Sequence, residues 1–356
     1  MDKMNLYSNS LYTEDVRYVC ELELPWEKLR KKNIMISGAS GMIGSFLTDV
    51  LLEKNLTHDL DYTVYVLGRS PEELRERFIK YSDDKHLRVL HYDAGLPLTM
   101  DAPDSIDHVF HLASNTHPLL YATDPIGTIT TNIIGLQNLS EFAVKHHAER
   151  FVFASSNEIY GENRGDVEMF DETYCGYIDS NTMRAGYPES KRCGESLCQA
   201  YKAQKGLNVV IPRLTRTYGP TMKTGDSKAI SQFIMKAVKN EDIVLKSSGT
   251  QYYSYQYVSD SVSGLLTVFF KGKSGEAYNI ANQNSDITLK ALAELIAEVK
   301  GRKVIFEIPD AVEASGYSKA TKARLDGDKL GSLGWKPKYN IRTGIERTVR
   351  ILEEII

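Results

Sequence analysis

The sequence predicts an α/β fold, a doubly wound parallel sheet with a smaller C-terminal lobe, on three observations. From residue 33 onward, short apolar runs rich in β-branched residues alternate with longer helical stretches. Those runs are apolar throughout, as strands covered on both faces must be. After Pro212 the rhythm breaks and a tail of mixed character follows. A chain of 356 residues is long for one core, so two lobes are expected.

Residues 1–32 are mixed in character and close on "LELPWEKLRKK"; they read as an extension packed beside the main domain, with Trp26 as its anchor. The strands follow as "NIMIS" (33–37), "YTVYVL" (62–67), "LRVLHY" (87–92), "IDHVFHLA" (106–113), "RFVFAS" (150–155) and "LNVVIP" (207–212). The helical spacers between them imply βαβ units. Beyond Pro212 come strand-like "QYYSYQYV" (251–258), the helix "SDSVSGLLTVFF", the strand "EAYNIA" (276–281) and the helix "TLKALAELIAEVKG". We therefore place the sheet domain at 33–211 and 252–281, and the second lobe at 212–251 and 282–356.

Net charge is -4 with no basic block, which argues against nucleic acid as a partner. Cys20, Cys175, Cys193 and Cys198 form no CxxC pair and no array with metal spacing, so neither a metal nor disulfides are expected and a reducing cytoplasm fits. The polar amino terminus is no signal peptide, and no stretch approaches the roughly 18 apolar residues of a membrane helix.

"MISGASGMIG" (35–44) puts Gly38, Gly41 and Gly44 three apart, after the first strand and at the start of the amphipathic helix "MIGSFLTDVLLEK". There the first glycine makes the tight turn, the second lets the backbone approach a pyrophosphate, and the third allows close helix-to-strand contact. The helix terminus then meets negative charge, with Ser40, Met42 and Ile43 in the same loop. This is a dinucleotide-binding, Rossmann arrangement. The second strand ends "VLGRS", with Gly68 where an acid would take the ribose hydroxyls of NAD and Arg69 next to it. An arginine there pairs with a 2'-phosphate, so NADP(H) is preferred over NAD(H); a solvated surface arginine is the plainer alternative.

"YPESK" holds Tyr187 and Lys191 four residues apart, on one helix face. A phenol is a poor acid or base at neutral pH; a nearby ammonium and a positive nicotinamide ring favour phenolate. Thirty-one residues earlier, at a strand end, stands "SSNEIYG" (155–161), with Ser156.

With these marks come "HLASNTHP" (111–118), Asp124 and Pro125, "TNIIGLQNL" around Asn132, "YGP" (218–220) and "LGWKP" (333–337). In this order, over roughly residues 33–345, the chain resembles the extended short-chain dehydrogenase/reductase superfamily and its nucleotide-sugar epimerase/dehydratase branch. The resemblance implies that Asp93 contacts the adenine amino group and that Ala94, Leu112, Ala113, Ser114, Asn132, Ala154 and Pro212 line the cofactor. It implies hydride exchange at a sugar carbon, with Tyr187 moving the hydroxyl proton, Lys191 holding the nicotinamide ribose and Ser156 orienting the substrate oxygen. Asn115, Thr116, Arg213, Arg216 and Tyr253 fall to a nucleotide-diphosphate sugar. Helix 128–147 and the helix beginning at Tyr187 resemble those that pair two copies as a four-helix bundle.

Within that branch, Glu158 stands two residues after Ser156, as in sugar-nucleotide 4,6-dehydratases and UDP-glucuronate decarboxylases, where epimerases usually carry a small neutral residue. Asn157 replaces the aspartate with which glucose dehydratases protonate the departing hydroxyl, so elimination is weakened. Two departures concern the phosphates: Arg216 replaces an asparagine before "YGP", and Tyr253 replaces an arginine in "QYYSYQYV". A positive charge is thus lost from one wall and gained on another. The alternatives are an NADPH-dependent reductase of a nucleotide-activated keto sugar or polyol precursor and, more remotely, an NADP(H)-sensing regulator. Lys319, Lys322 and Arg324 read equally as phosphate contacts or as a solvated face.

Overall fold

The computed structural model describes residues 5–96, 98, 105–116, 121, 123–307 and 321–356. The first sheet takes β1 (Asn33–Ser37), β2 (Thr63–Gly68), β3 (Leu87–His91), β4 (His108–His111), β5 (Arg150–Phe153), β6 (Ser155–Ser156) and β7 (Val209–Leu214). Between and before them run α1 (Ser10–Cys20), α2 (Met42–His58), α3 (Pro71–Arg77), α4 (Pro125–Lys145) and α5 (Gly186–Lys205). The chain then forms β8 (Arg216–Tyr218), α6 (Ala229–Val238), β9 (Ile243–Leu245), β10 (Tyr252–Tyr257) and α7 (Val258–Lys271), and returns to the first sheet as β11 (Ala277–Ile280). It closes with β12 (Asp286–Thr288), α8 (Leu289–Val299), β13 (Val304–Phe306), β14 (Lys322–Ala323), α9 (Asp328–Gly331) and α10 (Ile341–Ile355).

The main path of the first sheet runs β11-β7-β5-β4-β1-β2-β3, with β6 beside β7 and every pairing parallel. Chain direction across the sheet reverses between β1 and β4, which opens a crevice at the strands' carboxyl ends. The uniformly apolar runs are the buried strands: all four residues of β4 are inside. That burial holds both of its histidines neutral, His108 pulled down to about 4 and His111 to about 3.

The second sheet places β10 between antiparallel β12 and parallel β14, with β8 also parallel to β10. The lobe boundaries therefore differ from expectation in two places. Strand β7 runs on through Leu214 in the first sheet, and β10, expected there, belongs to the second. An apolar run states that a strand is covered, not which sheet covers it. The helix α7 is buried along all but its last residue, as a helix held between two lobes must be.

The extension packs as expected, and Trp26 is 6% exposed, edge-on to Phe270 at 5.5 Å. Its stronger ties are polar. The Tyr7 hydroxyl (2.9 Å) and the Tyr12 hydroxyl donate to Asp49 of α2, which also pairs with Arg77 at 2.5 Å. Asp15, fully buried, accepts from the Tyr257 hydroxyl (2.6 Å) and the Tyr339 hydroxyl (2.7 Å) and pairs with Arg347 (3.1 Å). One short segment thus fastens both lobes.

Candidate active site

The turn after β1 is tight for two different reasons. Gly38 has φ +75°, and a Cβ on it would lie 2.7 Å from the Ala113 nitrogen and from the Leu112 carbonyl carbon, in the loop after β4. A Cβ on Gly44 would stand 2.2 Å from the Gly38 oxygen. Both are glycine for the protein's own packing. Gly41 is different: its Cβ would meet only the Gly38 oxygen, at 3.2 Å, and as N-cap of α2 it offers no side chain to the first-turn N–H groups. That bare face, with the uncapped donors of Met42, Ile43 and Gly44, fits a pyrophosphate lying across the turn beside Ser40. From the second lobe, the Thr221 hydroxyl donates to the Met42 carbonyl (2.9 Å) and closes one end.

Gly68 ends β2, where a side chain would press on Leu74 Cδ1 at 3.0 Å, and the exposed Arg69 follows. Asp93 turns Oδ1 to its own loop, accepting from the Gly95 N–H (2.9 Å), and Ala94 packs under Gly135 of α4. Leu112 and Ala113 donate to Ser37 at 3.1 and 3.4 Å, locking the loops after β1 and β4 together. Ala154 and Pro212 lie buried at the neighbouring strands, so the expected cofactor residues converge on one edge of the sheet.

The reacting groups sit beside that edge. Tyr187 and Lys191 occupy the start of α5 at 6% and 3% exposure, and Ser156, 8% exposed, ends β6. The Lys191 ammonium donates to the Ala154 carbonyl (2.8 Å) over the Phe153 ring, and burial lowers it to about 8. Burial pushes the Tyr187 phenol above its ordinary range and Glu158 pushes the same way, while contacts with Ser156 and Ser114 and the charge of Arg184 pull it down. Among these influences burial is the largest, and Arg184 is a cation that opposes it.

Asn132, fully buried, accepts from the Ser114 hydroxyl (2.7 Å) and donates to the Ser190 hydroxyl (2.9 Å), which in turn donates to the Tyr187 carbonyl (2.8 Å). It ties α4 to the helix that carries the phenol. Asn157 is buried in the turn Asn157–Tyr160, and Ser156 Oγ accepts from the Glu158 N–H (3.2 Å).

Two neighbours of the phenol were not singled out from the sequence. Tyr121 stacks on Tyr187 with ring centroids 4.8 Å apart. Arg184 lies over Tyr121 at 4.9 Å and pairs with both oxygens of Glu158 at 2.8 Å. The only sequence signal for Arg184 is its place three residues before Tyr187, in the turn Met183–Ala185.

In the second lobe, Arg216 and Tyr253 meet: the guanidinium lies 3.6 Å from the ring centroid, and its buried Nη1 has no hydrogen-bond partner. The charge lies on β8, over the Tyr253 ring of adjacent β10. Arg213, expected at the substrate, spends its donors inside the protein on Glu195 (2.7 and 2.9 Å), the Tyr160 hydroxyl (2.9 Å) and the Glu172 carbonyl (2.8 Å). Asn115 and Thr116 lie half-buried past β4. Lys322 pairs with Glu168 (2.7 Å) and Arg324 with Asp286 (2.8 Å), while Lys319 lies outside the described residues. Among the described residues no His, Cys, Asp and Glu cluster could hold a metal, and no helix is long and apolar enough to cross a membrane.

The chain is 32% identical over 312 residues to UDP-glucuronic acid decarboxylase 3 of Arabidopsis thaliana, covering 88% of this chain and 86% of that protein. It is 31% identical over 319 residues to UDP-glucuronic acid decarboxylase 1 of Xenopus tropicalis, covering 90% and 72%. Its fold is shared with a dTDP-glucose 4,6-dehydratase of Streptomyces venezuelae solved with NAD bound, at TM-score 0.76, 24% identity and coverage of 90% and 96%. It is shared also with a UDP-glucuronic acid 4-epimerase of Bacillus cereus in complex with UDP-glucuronic acid and NAD, at TM-score 0.75, 21% identity and coverage of 91% and 100%. The sequence profile that matches residues 34–281 spans both the glycine turn and the helix of Tyr187, and by that match the chain belongs to the NAD dependent epimerase/dehydratase family.

Proposed function

We propose that this protein oxidises a sugar carbon of a nucleotide-diphosphate sugar to a keto intermediate and completes a decarboxylase-like second step. The observation that carries this reading is the gathering of buried Ser156, Tyr187 and Lys191 with partly exposed Glu158, whose charge acts on the Tyr187 phenol. A dinucleotide held at the glycine turn would supply the hydride acceptor and donor for this chemistry. Tyr187 takes the proton from the reacting hydroxyl oxygen, Ser156 holds that oxygen, and Lys191 fixes the ribose. Glu158 serves proton transfer at the carbon next to the keto group. Asn157 has no acid to give a departing hydroxyl, which favours loss of a carboxylate over elimination; the names of two relatives, both UDP-glucuronic acid decarboxylases, support the same choice. Arg216, over the Tyr253 ring, brings a guanidinium suited to a diphosphate.

The exposed Arg69 after Gly68 supports NADP(H) over NAD(H), and calorimetric titration of both dinucleotides measures that preference. Ile126, Ile129 and Ile134, exposed at 76%, 37% and 38% along α4, suit pairing of two copies through α4 and α5, which light scattering tests. For the reaction, a thermal-shift panel of CDP, GDP, UDP and dTDP with dinucleotide present identifies the base. UDP-glucuronic acid is then followed by proton NMR and by absorbance at 340 nm. We expect UDP to raise the melting temperature and product to form without net change at 340 nm. No shift with any nucleotide contradicts the reading, and steady consumption of NADPH with a keto sugar would favour a reductase.

A further inference from the structure

Arg184 and Glu158 form an unusual pair for a buried site. Both guanidinium nitrogens lie 2.8 Å from the carboxylate, yet only Nη2 makes a well-aligned hydrogen bond; Nη1, buried, has no hydrogen-bond partner. The two side chains are 34% and 24% exposed, so the pair faces the open side of the site and not the core. Beneath the guanidinium lies Tyr121, and beneath Tyr121 the ring of Tyr187. A partly exposed guanidinium held to Glu158 therefore lies within two stacked rings of the reacting phenol.

That arrangement has a consequence for Glu158. A carboxylate engaged by a guanidinium on both oxygens has lone pairs committed to it, and such pairing is strong because donor and acceptor are both charged. A neutral sugar has nothing that competes for the fork. A sugar carboxylate is its chemical equal: planar, anionic and matched to the same spacing of donors.

We infer that Arg184 is the residue by which this site distinguishes an acidic sugar from a neutral one, taking the substrate's carboxylate in exchange for Glu158. The inference rests on the nucleotide-sugar reading and adds to it a specificity determinant. Arg184 binds the carboxylate, Glu158 is released toward the sugar, and Tyr121 fixes the plane of the guanidinium.

The test is calorimetric titration of the protein, saturated with dinucleotide, with UDP, UDP-glucose and UDP-glucuronic acid. Wild type is expected to bind UDP-glucuronic acid at least about tenfold more tightly than UDP-glucose. Arg184→Gln is expected to abolish that difference while leaving the affinity for UDP unchanged. Glu158→Gln removes the competitor and is expected to tighten UDP-glucuronic acid binding several-fold, a gain that a misfolded variant cannot produce. Equal binding of the two sugars by wild type, a preference that survives Arg184→Gln, or weaker binding by Glu158→Gln each overturns the inference while leaving the nucleotide-sugar reading intact. Failure of all three to bind, together with no shift from CDP, GDP or dTDP, overturns both.

Discussion

Two of this protein's arginine–glutamate pairs, Arg213–Glu195 and Arg184–Glu158, differ in depth and in how many of their donors are bonded, and the difference separates an ion pair of the packed interior from a partly exposed one. Arg213 and Glu195, with side chains 10% and 14% exposed, are saturated: every nitrogen of the guanidinium has an acceptor, and Ser155 Oγ donates to Glu195 as well (2.6 Å). Arg184 and Glu158 are more exposed, at 34% and 24%, and the Arg184 Nη1 makes no hydrogen bond. Identical chemistry is used once to hold strands to a helix and once, on the reading proposed above, to face a substrate. The lesson is that charge type alone did not tell them apart; the count of satisfied donors did. From sequence, Arg213 was expected at the substrate and Arg184 was passed over.

Substitutions separate the two kinds of pair. Arg213→Met leaves Glu195 buried without its partner and is expected to cost about 3–5 kcal/mol in chemical denaturation. Asp15 is a third carboxylate with several donors, and Asp15→Asn is expected to cost about 2 kcal/mol by weakening the acceptor for the buried Tyr257 and Tyr339 hydroxyls and leaving Arg347 with Glu14 alone for counter-charge. Asp260 shows the opposite condition: burial pushes its carboxyl from 3.8 up to about 7, although it accepts the backbone N–H groups of Lys338 and Tyr339. The folded state then holds the proton more tightly than the unfolded chain between those two values. Stability should therefore fall as pH rises from about 4 to 7, by at most about 1.4 kcal/mol per pH unit from this group, and flatten above. Asp260→Asn should remove that slope in denaturation profiles. Arg184→Gln is expected to cost less than about 1 kcal/mol, as half-exposed pairs do, while changing ligand preference. Equal losses of stability for Arg213→Met and Arg184→Gln would erase the distinction between the two pairs.

Much of the first lobe was legible because its signals are local. "NIMIS" became β1 without a residue's change, the glycine spacing fixed the turn, and Tyr187 and Lys191 share a face because four residues make a helical turn. What was not legible depends on distant partners. Asp15 meets Tyr257 and Tyr339 across separations of 242 and 324 residues, and no local pattern marks it. Glu158 and Arg184 are 26 residues apart on two short turns whose relative placement only the packed chain determines. Strand β10 shows the same boundary: its strand character was plain from the sequence, its sheet was not.

The account stands on Tyr187 as the group that moves the proton, and the most direct measurement is turnover of Tyr187→Phe on the nucleotide sugar that raises the protein's melting temperature. The phenyl ring preserves the stack on Tyr121, so binding and melting temperature should be unchanged while turnover by proton NMR falls by about 10²–10⁴-fold. Turnover at the wild-type rate would contradict the account.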